Sequence, residues 1–289
     1  MKIALTGYSG MIGTYVKKNL STAHEIINLD LRERENILQD KHSIQGIAGI
    51  IHLASFNSNN SSIIFQEEIA ITNKLVQILG SLKFKFCIFF STSKIYGESF
   101  KPIADESYET NPISEYAKAK LKSEEILKSF CQKNEISLII LRLAPVISKK
   151  SHSNIGKLLR YLDREMPIPM LSSSNHNLKT YLTLENIIIT LEAILAKMQS
   201  VDKVYQDTYN LGNSVPMSMI SLIRQYCKEN NLAVVSFKVP VILERFLFNF
   251  PVLGSKIAPK FEGSVISSLK LEEDFNISLE LKKFGISNE

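Results

Sequence analysis

The chain lacks the features that mark several large classes of protein. Its three cysteines, Cys87, Cys131 and Cys227, are odd in number, far apart, and fit no C-x-x-C or zinc-ligand spacing. A disulfide framework and a metal site are therefore not expected, and the thiols read as reduced core residues of a cytoplasmic protein. No uninterrupted apolar run reaches the ~18 residues that argue for a membrane span. The most apolar stretch, VPVILERFLFNFPVLG, is broken by Glu244, Arg245 and two prolines, and reads as an amphipathic surface or interface helix. The N-terminal MKIALTGYSG has neither the apolar run nor the small-residue cleavage site of a signal peptide. Repeats and low-complexity segments are missing. A basic stripe is missing too: the formal charge of +5 is dispersed, and KLKSEEILKS alternates lysines with acids as a solvated helix face does. Nucleic acid is not an expected partner.

The chain does contain a steady strand–helix rhythm in 289 residues, 45% of them apolar and 22% charged. KIALTG reads as a strand and MIGTYVKKNL as a helix; EIINLD and GIIHLAS are further strands, followed by the long amphipathic FQEEIAITNKLVQILGSL. FKFCIFFSTS and ISLIILRLAP are near-continuous apolar runs, as expected where both faces of a sheet are covered. Between them SEYAKAKLKSEEILKSFCQKN has helical periodicity for about five turns. This alternation predicts an α/β fold with a doubly wound parallel sheet. After Pro145 the rhythm changes. Residues 151–182 read as polar and irregular, LTLENIIITLEAILAKM as helix, DTYNLGN as strand and SMISLIRQYCKENN as helix. The predicted organisation is a dinucleotide-binding domain over 1–150, with 183–213 returning to it, and a smaller substrate-binding lobe from 151–182 and 214–289.

Gly7, Gly10 and Gly13 lie in LTGYSGMIG, after the first strand and opening the first helix. Glycines here allow a tight turn, let a pyrophosphate approach the backbone, and let the helix pack closely on the strand. The free N–H groups at the start of that helix, around Met11 and Ile12, then face the phosphates. Asp30 closes the second strand 17 residues past Gly13, where an acid accepts hydrogen bonds from the ribose hydroxyls and repels a 2′-phosphate. NAD is favoured; Arg32 and Arg34 follow closely and keep NADP open. Tyr116 and Lys120 form a Tyr-x-x-x-Lys pair, one turn apart on one helix face.

Together these motifs resemble the extended short-chain dehydrogenase/reductase family, in its nucleotide-sugar epimerase/dehydratase branch. The resemblance spans nearly the whole chain and rests on TGYSGMIG, GIIHLAS, FFSTSKIYGE, YAKAK and ILRLAPV, with YNLGN and FEGSVISS extending it. It implies a Rossmann fold with a smaller C-terminal substrate lobe. It further implies an NAD-dependent oxidoreductase or epimerase and a homodimer formed through the helices bearing EEIAITNKLVQIL and YAKAKLKSEEIL. Tyr116 becomes the general acid/base for a sugar hydroxyl while hydride passes between carbon and nicotinamide. Lys120 favours the phenolate and holds the nicotinamide ribose. Thr92 becomes the catalytic hydroxyl, with Ser91 a less favoured neighbour and Ser93 beside it at the substrate, and the backbone of Leu53, Ala54 and Ser55 runs close to the cofactor. His52 reads as a packed core histidine.

The pattern departs from the family in three places. Ser93 and Lys94 follow Thr92, where the sugar dehydratases carry Asp and Glu, so 4,6-dehydration is disfavoured. Epimerisation or reduction at C4 of a nucleotide-activated sugar remains. Pro145 replaces the Asn of L-R-x-x-N, and Ser268 replaces a late Asp. Lys179 in LKTYLTLEN is the candidate for the substrate diphosphate. The motif style leans toward bacterial surface-polysaccharide enzymes. Two other readings stand beside this one: a reductase or dehydrogenase of a carbonyl compound without a nucleotide, and a non-catalytic dinucleotide-binding regulator on the same fold.

Overall fold

The computed structural model describes residues 1–31, 45–56, 60–151, 153–170, 177–200, 203–240 and 263–281. Arg32, Arg34 and residues 241–254 of the apolar segment lie outside the described residues.

The chain runs β1 (Lys2–Thr6), α1 (Met11–Leu20), β2 (Glu25–Asn28), β3 (Gly49–His52), α2 (Ser61–Ser81) and β4 (Phe86–Thr92). A 3-10 turn, Ser93–Tyr96, leads to β5 (Phe100–Ala104), α3 (Glu115–Lys133) and β6 (Ser137–Leu143). Then come α4 (Asn154–Leu162), β7 (Ile168–Met170), β8 (Leu178–Lys179), α5 (Leu184–Ser200) and β9 (Gln206–Leu211). β10 (Met217–Ser218), α6 (Met219–Glu229), β11 (Ser236–Lys238), β12 (Ser264–Ile266) and α7 (Leu269–Phe275) complete the described elements.

Six strands form one parallel sheet in the order β2-β1-β3-β4-β6-β9. Side chains alternate between its faces, and the sequence supplies apolar residues for both. Ile3, Leu5, Ile88, Phe90, Ile139 and Leu141 pack with Val16 and Leu20 of α1 and Ile187, Leu191 and Ile194 of α5. Ala4, Ile50, Cys87, Phe89, Leu138 and Ile140 pack under α2 and α3, against Leu75, Ile78, Leu79 and Leu127. β4 and β6 are buried along all seven residues each, as continuous apolar runs predict. β2 lies on one side of β1 and β3 on the other, so the strand order reverses at β1. The crevice at the carboxyl ends of β1 and β3 is the place where open α/β sheets bind ligands.

A second sheet, β10-β8-β12-β5, and the small pair β11-β7 lie outside this frame. A third core joins Ile155, Leu159 and Leu162 of α4 with Tyr181 and with Leu222, Ile223 and Tyr226 of α6. The reading of residues 151–182 as irregular needs correction. α4 forms within it, capped by the Ser153 hydroxyl accepting from Gly156 N at 3.2 Å. Ile155, Leu158, Leu159 and Leu162 recur at helical spacing, so the signal is present although the helix is only nine residues long. Its apolar positions acquire a partner only when α6 arrives from more than fifty residues downstream. α7 joins the core through Leu271, the one buried residue in its seven.

Among the described residues no helix is long and apolar enough to cross a membrane, and no group of three or more His, Cys, Asp or Glu could hold a metal ion. Cys87, Cys131 and Cys227 are free and buried.

Candidate active site

The glycine turn connects β1 to α1 at the crevice. Gly7 has φ +67°, and a Cβ there would stand 2.5 Å from the Ala54 nitrogen beyond β3. Gly13 is packed as tightly from the other side: its Cβ would lie 2.0 Å from the Gly7 carbonyl oxygen. Gly10 N donates to that same oxygen at 3.0 Å. α2, α3, α4 and α6 each begin with an Asn or Ser side chain accepting from a first-turn N–H. α1 begins with Gly10 and has no side-chain cap. The first-turn donors at Met11 and Ile12 are therefore left by side chains to an outside acceptor, and a helix N-terminus favours an anionic one. A cradle that any side chain would fill, opening onto uncapped N–H groups, fits a dinucleotide pyrophosphate.

The turn after β3 is fixed in place. Leu53 N donates to Thr6 O at 3.3 Å, and Ala54 N to Thr6 Oγ1 at 3.2 Å. Ser55 Oγ and Phe56 N both donate to Glu68 Oε2, at 2.9 and 2.7 Å. Asp30 sits half-buried two residues beyond the end of β2, on the same edge of the sheet.

Tyr116 is half-buried in the first turn of α3, which Ser114 caps by accepting from Ala117 N at 3.2 Å. Lys120 is 2% exposed, with Nζ 2.7 Å from Glu68 Oε1, 4.8 Å from the centre of the Phe89 ring and 5.9 Å from that of Tyr116. Burial opposes its charge, but the Glu68 carboxylate, with lesser contributions from Tyr116 and Glu124, outweighs that, and its pKa stands above the ordinary lysine value. Lys120 is therefore a charged ammonium held against the face of the tyrosine.

Thr92 ends β4, and its Oγ1 accepts from Lys94 N at 3.3 Å, capping the 3-10 turn. Accepting in this way leaves its own proton free to donate. Ser91 points into a different network: it donates to Glu124 at 2.5 Å. Glu124 also takes Arg142 Nη2 at 2.8 Å, and Arg142 Nη1 donates to the Tyr96 hydroxyl at 2.9 Å, which donates to Asn210 Oδ1 at 2.8 Å. Ser93 is buried in the turn. Lys179 lies in the second sheet, with its backbone between Met217 of β10 and Ser264 of β12.

His52 is packed as its position in a buried strand suggested. Nδ1 is 2.7 Å from Thr6 Oγ1, the ring stacks on Phe89 at 5.7 Å, and burial, then Lys120, push its pKa down to about 3. It is neutral at physiological pH. Ser268, in place of an acid, ties the start of α7 to the residue after β9: Oγ accepts from Gly212 N at 2.9 Å and donates to Gly212 O at 3.2 Å.

Two cavities lie nearby. One of about 300 Å³ is bordered by Ser9, Met11, Thr14, Lys18 and Lys150 and adjoins the glycine turn. A larger one, about 680 Å³, is walled by Asp105, Glu106, Arg142, Asp207, Lys270 and Glu273 and includes neither Tyr116 nor Lys120. The smaller cavity, like the larger, is bordered by neither Tyr116 nor Lys120.

Glu68 was missed from the sequence. It shares the inward face of α2 with Thr72, Leu75 and Ile78. A carboxylate at that spacing on an apolar stripe is the signal that could have found it, because such a group requires a partner.

The glycine turn, the uncapped helix start and the tyrosine–lysine pair define a dinucleotide-dependent enzyme on a doubly wound sheet. Residues 3–212 match the model of the NAD dependent epimerase/dehydratase family, and the chain belongs to that family. A curated relative in Escherichia coli O157:H7, N-acetyl-alpha-D-glucosaminyl-diphospho-ditrans,octacis-undecaprenol 4-epimerase, is 24% identical over 82% of this chain and 75% of its own length. The crystal structure of UDP-N-acetylglucosamine 4-epimerase from Bacillus cereus superposes with a TM-score of 0.75 at 16% identity, over 96% of this chain and 94% of that one. That of Thermus thermophilus UDP-glucose 4-epimerase, complexed with NAD, gives 0.73 at 19% identity, over 95% and 93%. At such identities the solved structures establish the shared fold. The family establishes an NAD-dependent enzyme.

Proposed function

We propose that this protein is an NAD-dependent 4-epimerase of a nucleotide-activated sugar, working in bacterial surface-polysaccharide sugar synthesis. The observation that carries the reading is the buried, charged Lys120 lying against Tyr116 on α3. Tyr116 would accept the proton of a C4 hydroxyl and later return it, with that ammonium as its charged neighbour one helical turn on. NAD, held by the glycine turn, would supply the hydride chemistry at C4. Gly7, Gly10 and Gly13 with the N–H groups of Met11 and Ile12 would hold the pyrophosphate. Asp30 would take the adenosine ribose, and Leu53 to Ser55 would flank the cofactor. Thr92 keeps a proton to donate to the reacting oxygen. Ser93 and Lys94, standing where a carboxyl pair would drive dehydration, favour epimerisation.

Reduction of a 4-keto sugar uses the same tyrosine and is the second reading. It differs in that cofactor must exchange at every turnover. Lys179 is our candidate for the substrate diphosphate. Residues 1–150 with 183–213 would form the cofactor-binding part and the rest the substrate lobe, and the chain would act as a homodimer.

The test is mass spectrometry of the purified protein for retained NAD, then incubation with UDP- and dTDP-sugars. A polyprenyl-diphosphate-linked N-acetylglucosamine, suggested by the relative in Escherichia coli, belongs in the same panel. Retained NAD with interconversion of C4 epimers is the expected result; consumption of NADH with keto sugars alone would select the reductase. Tyr116→Phe should abolish turnover with cofactor affinity within about twofold, since the ring stays and only the hydroxyl leaves. Full activity in that variant would remove Tyr116 from its role.

A further inference from the structure

Glu68 is fully buried on α2, and both of its oxygens are engaged. Oε2 takes Ser55 Oγ and Phe56 N, and Oε1 faces Lys120 Nζ at 2.7 Å. One carboxylate thus joins three elements: the turn after β3, helix α2, and the helix that carries Tyr116. A buried carboxylate is costly, and a position that only needed packing would hold an apolar side chain at no such cost.

The groups facing Lys120 narrow its role. From the strands come His52, which is neutral, and the Phe89 ring. From its own helix come Tyr116 and Glu124. Glu124 is already occupied by Arg142 and Ser91. Glu68 is the carboxylate in contact with the ammonium. Without it, desolvation would act on Lys120 with little opposition, and a buried lysine in that condition releases its proton.

Granted the reading of Tyr116 and Lys120 as the working pair, we propose that Glu68 is a positioning residue of the active site. Its carboxylate keeps the Lys120 ammonium charged and fixed beside Tyr116, and locks that lysine to the Ser55–Phe56 turn. The charge relation sets the direction of the pH effect. In the wild-type protein Lys120 holds its proton to a pH above the ordinary lysine range. In Glu68→Gln the amide oxygen can still accept from the turn, but the counter-charge is gone. Lys120 then loses its proton at lower pH, and whatever depends on the ammonium fails earlier on the alkaline side.

The experiment measures NADH affinity by fluorescence titration, and turnover where a substrate is found, from pH 6 to about 11.5 in wild type, Glu68→Gln and Glu68→Asp, so that the range reaches the wild-type limb. The alkaline limb should move down by at least about one pH unit in Glu68→Gln, roughly a tenfold change in the proton equilibrium. It should stay near the wild-type position in Glu68→Asp, which keeps the charge. An unmoved limb in Glu68→Gln, or the same shift in both variants, overturns the proposal, because the effect would then be packing. Urea unfolding of Glu68→Gln, Lys120→Met and the double variant supplies a readout independent of cofactor. The double variant should recover stability lost in Glu68→Gln, since no unpaired ammonium is left buried. Failure to recover also counts against the pairing. A wild type that binds no NADH and converts no sugar would instead sink the epimerase reading, while the unfolding cycle would still report on Glu68 and Lys120.

Discussion

Replacing Gly13 by alanine should uncouple this protein from its cofactor, and the geometry sets how far. A Cβ at Gly13 would stand 2.0 Å from Gly7 O and 2.8 Å from both Gly7 C and Tyr8 Cα. Comfortable carbon contacts begin at ~3.5 Å, so the strand–helix turn must retreat by more than about 1 Å. The obstructing atoms are backbone and cannot rotate aside. A displacement of that size removes the helix N–H groups from the place where a pyrophosphate meets them. Hydrogen bonds to charged groups contribute about 1.5–3 kcal/mol each, so losing two weakens binding by roughly 3–6 kcal/mol, or about 10²- to 10⁴-fold. Stability supplies an independent sign. In an open helical position Gly→Ala would stabilise by about 1 kcal/mol, whereas overpacking here should cost about 1–3 kcal/mol. The assay is NADH titration by fluorescence, with mass spectrometry for retained NAD and urea unfolding to confirm the fold. Binding within threefold of wild type, with unchanged or raised stability, would refute the account of this turn.

Glu124→Gln should destabilise strongly. It leaves the Arg142 guanidinium, 6% exposed, without its charge partner, and breaking a buried pair from one side costs about 3–5 kcal/mol; a loss below about 1 kcal/mol in urea unfolding would show the network to be dispensable. His52 predicts an acid-sensitive component of stability. Its folded pKa of about 3 lies below the unfolded 6.5, so the unfolded chain takes the proton first and stability falls with pH across that window, by about 2 kcal/mol at pH 5 relative to pH 7. His52→Gln should flatten that dependence; equal slopes for both proteins between pH 7 and 5 would disprove the burial of a neutral ring.

The central sheet was legible because its signals are local. FCIFFST and SLIILRL are apolar on both faces, and the glycines of the first turn stand at positions where any Cβ collides with backbone. What could not be read depends on distant partners. β5, Phe100–Ala104, contains Pro102 and no alternation, and becomes a strand by pairing with β12, across an irregular register, from some 160 residues away. The site divides in the same way. Tyr116 and Lys120 are set one turn apart by helix geometry alone, whereas Glu68 reaches Lys120 from another helix, and Glu124 meets Arg142 from a strand. Charge inside an apolar stripe was visible at Glu68 and in the SLIILRL run, but its partners belong to the fold.

Those two ion pairs explain why α3 is a firm support for its tyrosine. Most of its residues are polar, and its apolar contribution to the core is confined to a few side chains, among them Ala117, Ala119 and Leu127. Hydrophobic burial alone would let such a helix slide or rotate slightly on the sheet. Lys120 fixes it sideways to α2 through Glu68, and Glu124, one turn further on, fixes it downward to β6 through Arg142. The two bonds leave successive turns of α3 for different elements, so together they resist its displacement on the sheet. Tyr116 lies in the turn before them, so its backbone is held by the same two pairs. The same two pairs would be costly as sources of stability, since each buries a full charge of either sign. Under the proposed reading of Tyr116, their placement on the helix that carries it suits the accuracy that proton transfer would demand of that phenol.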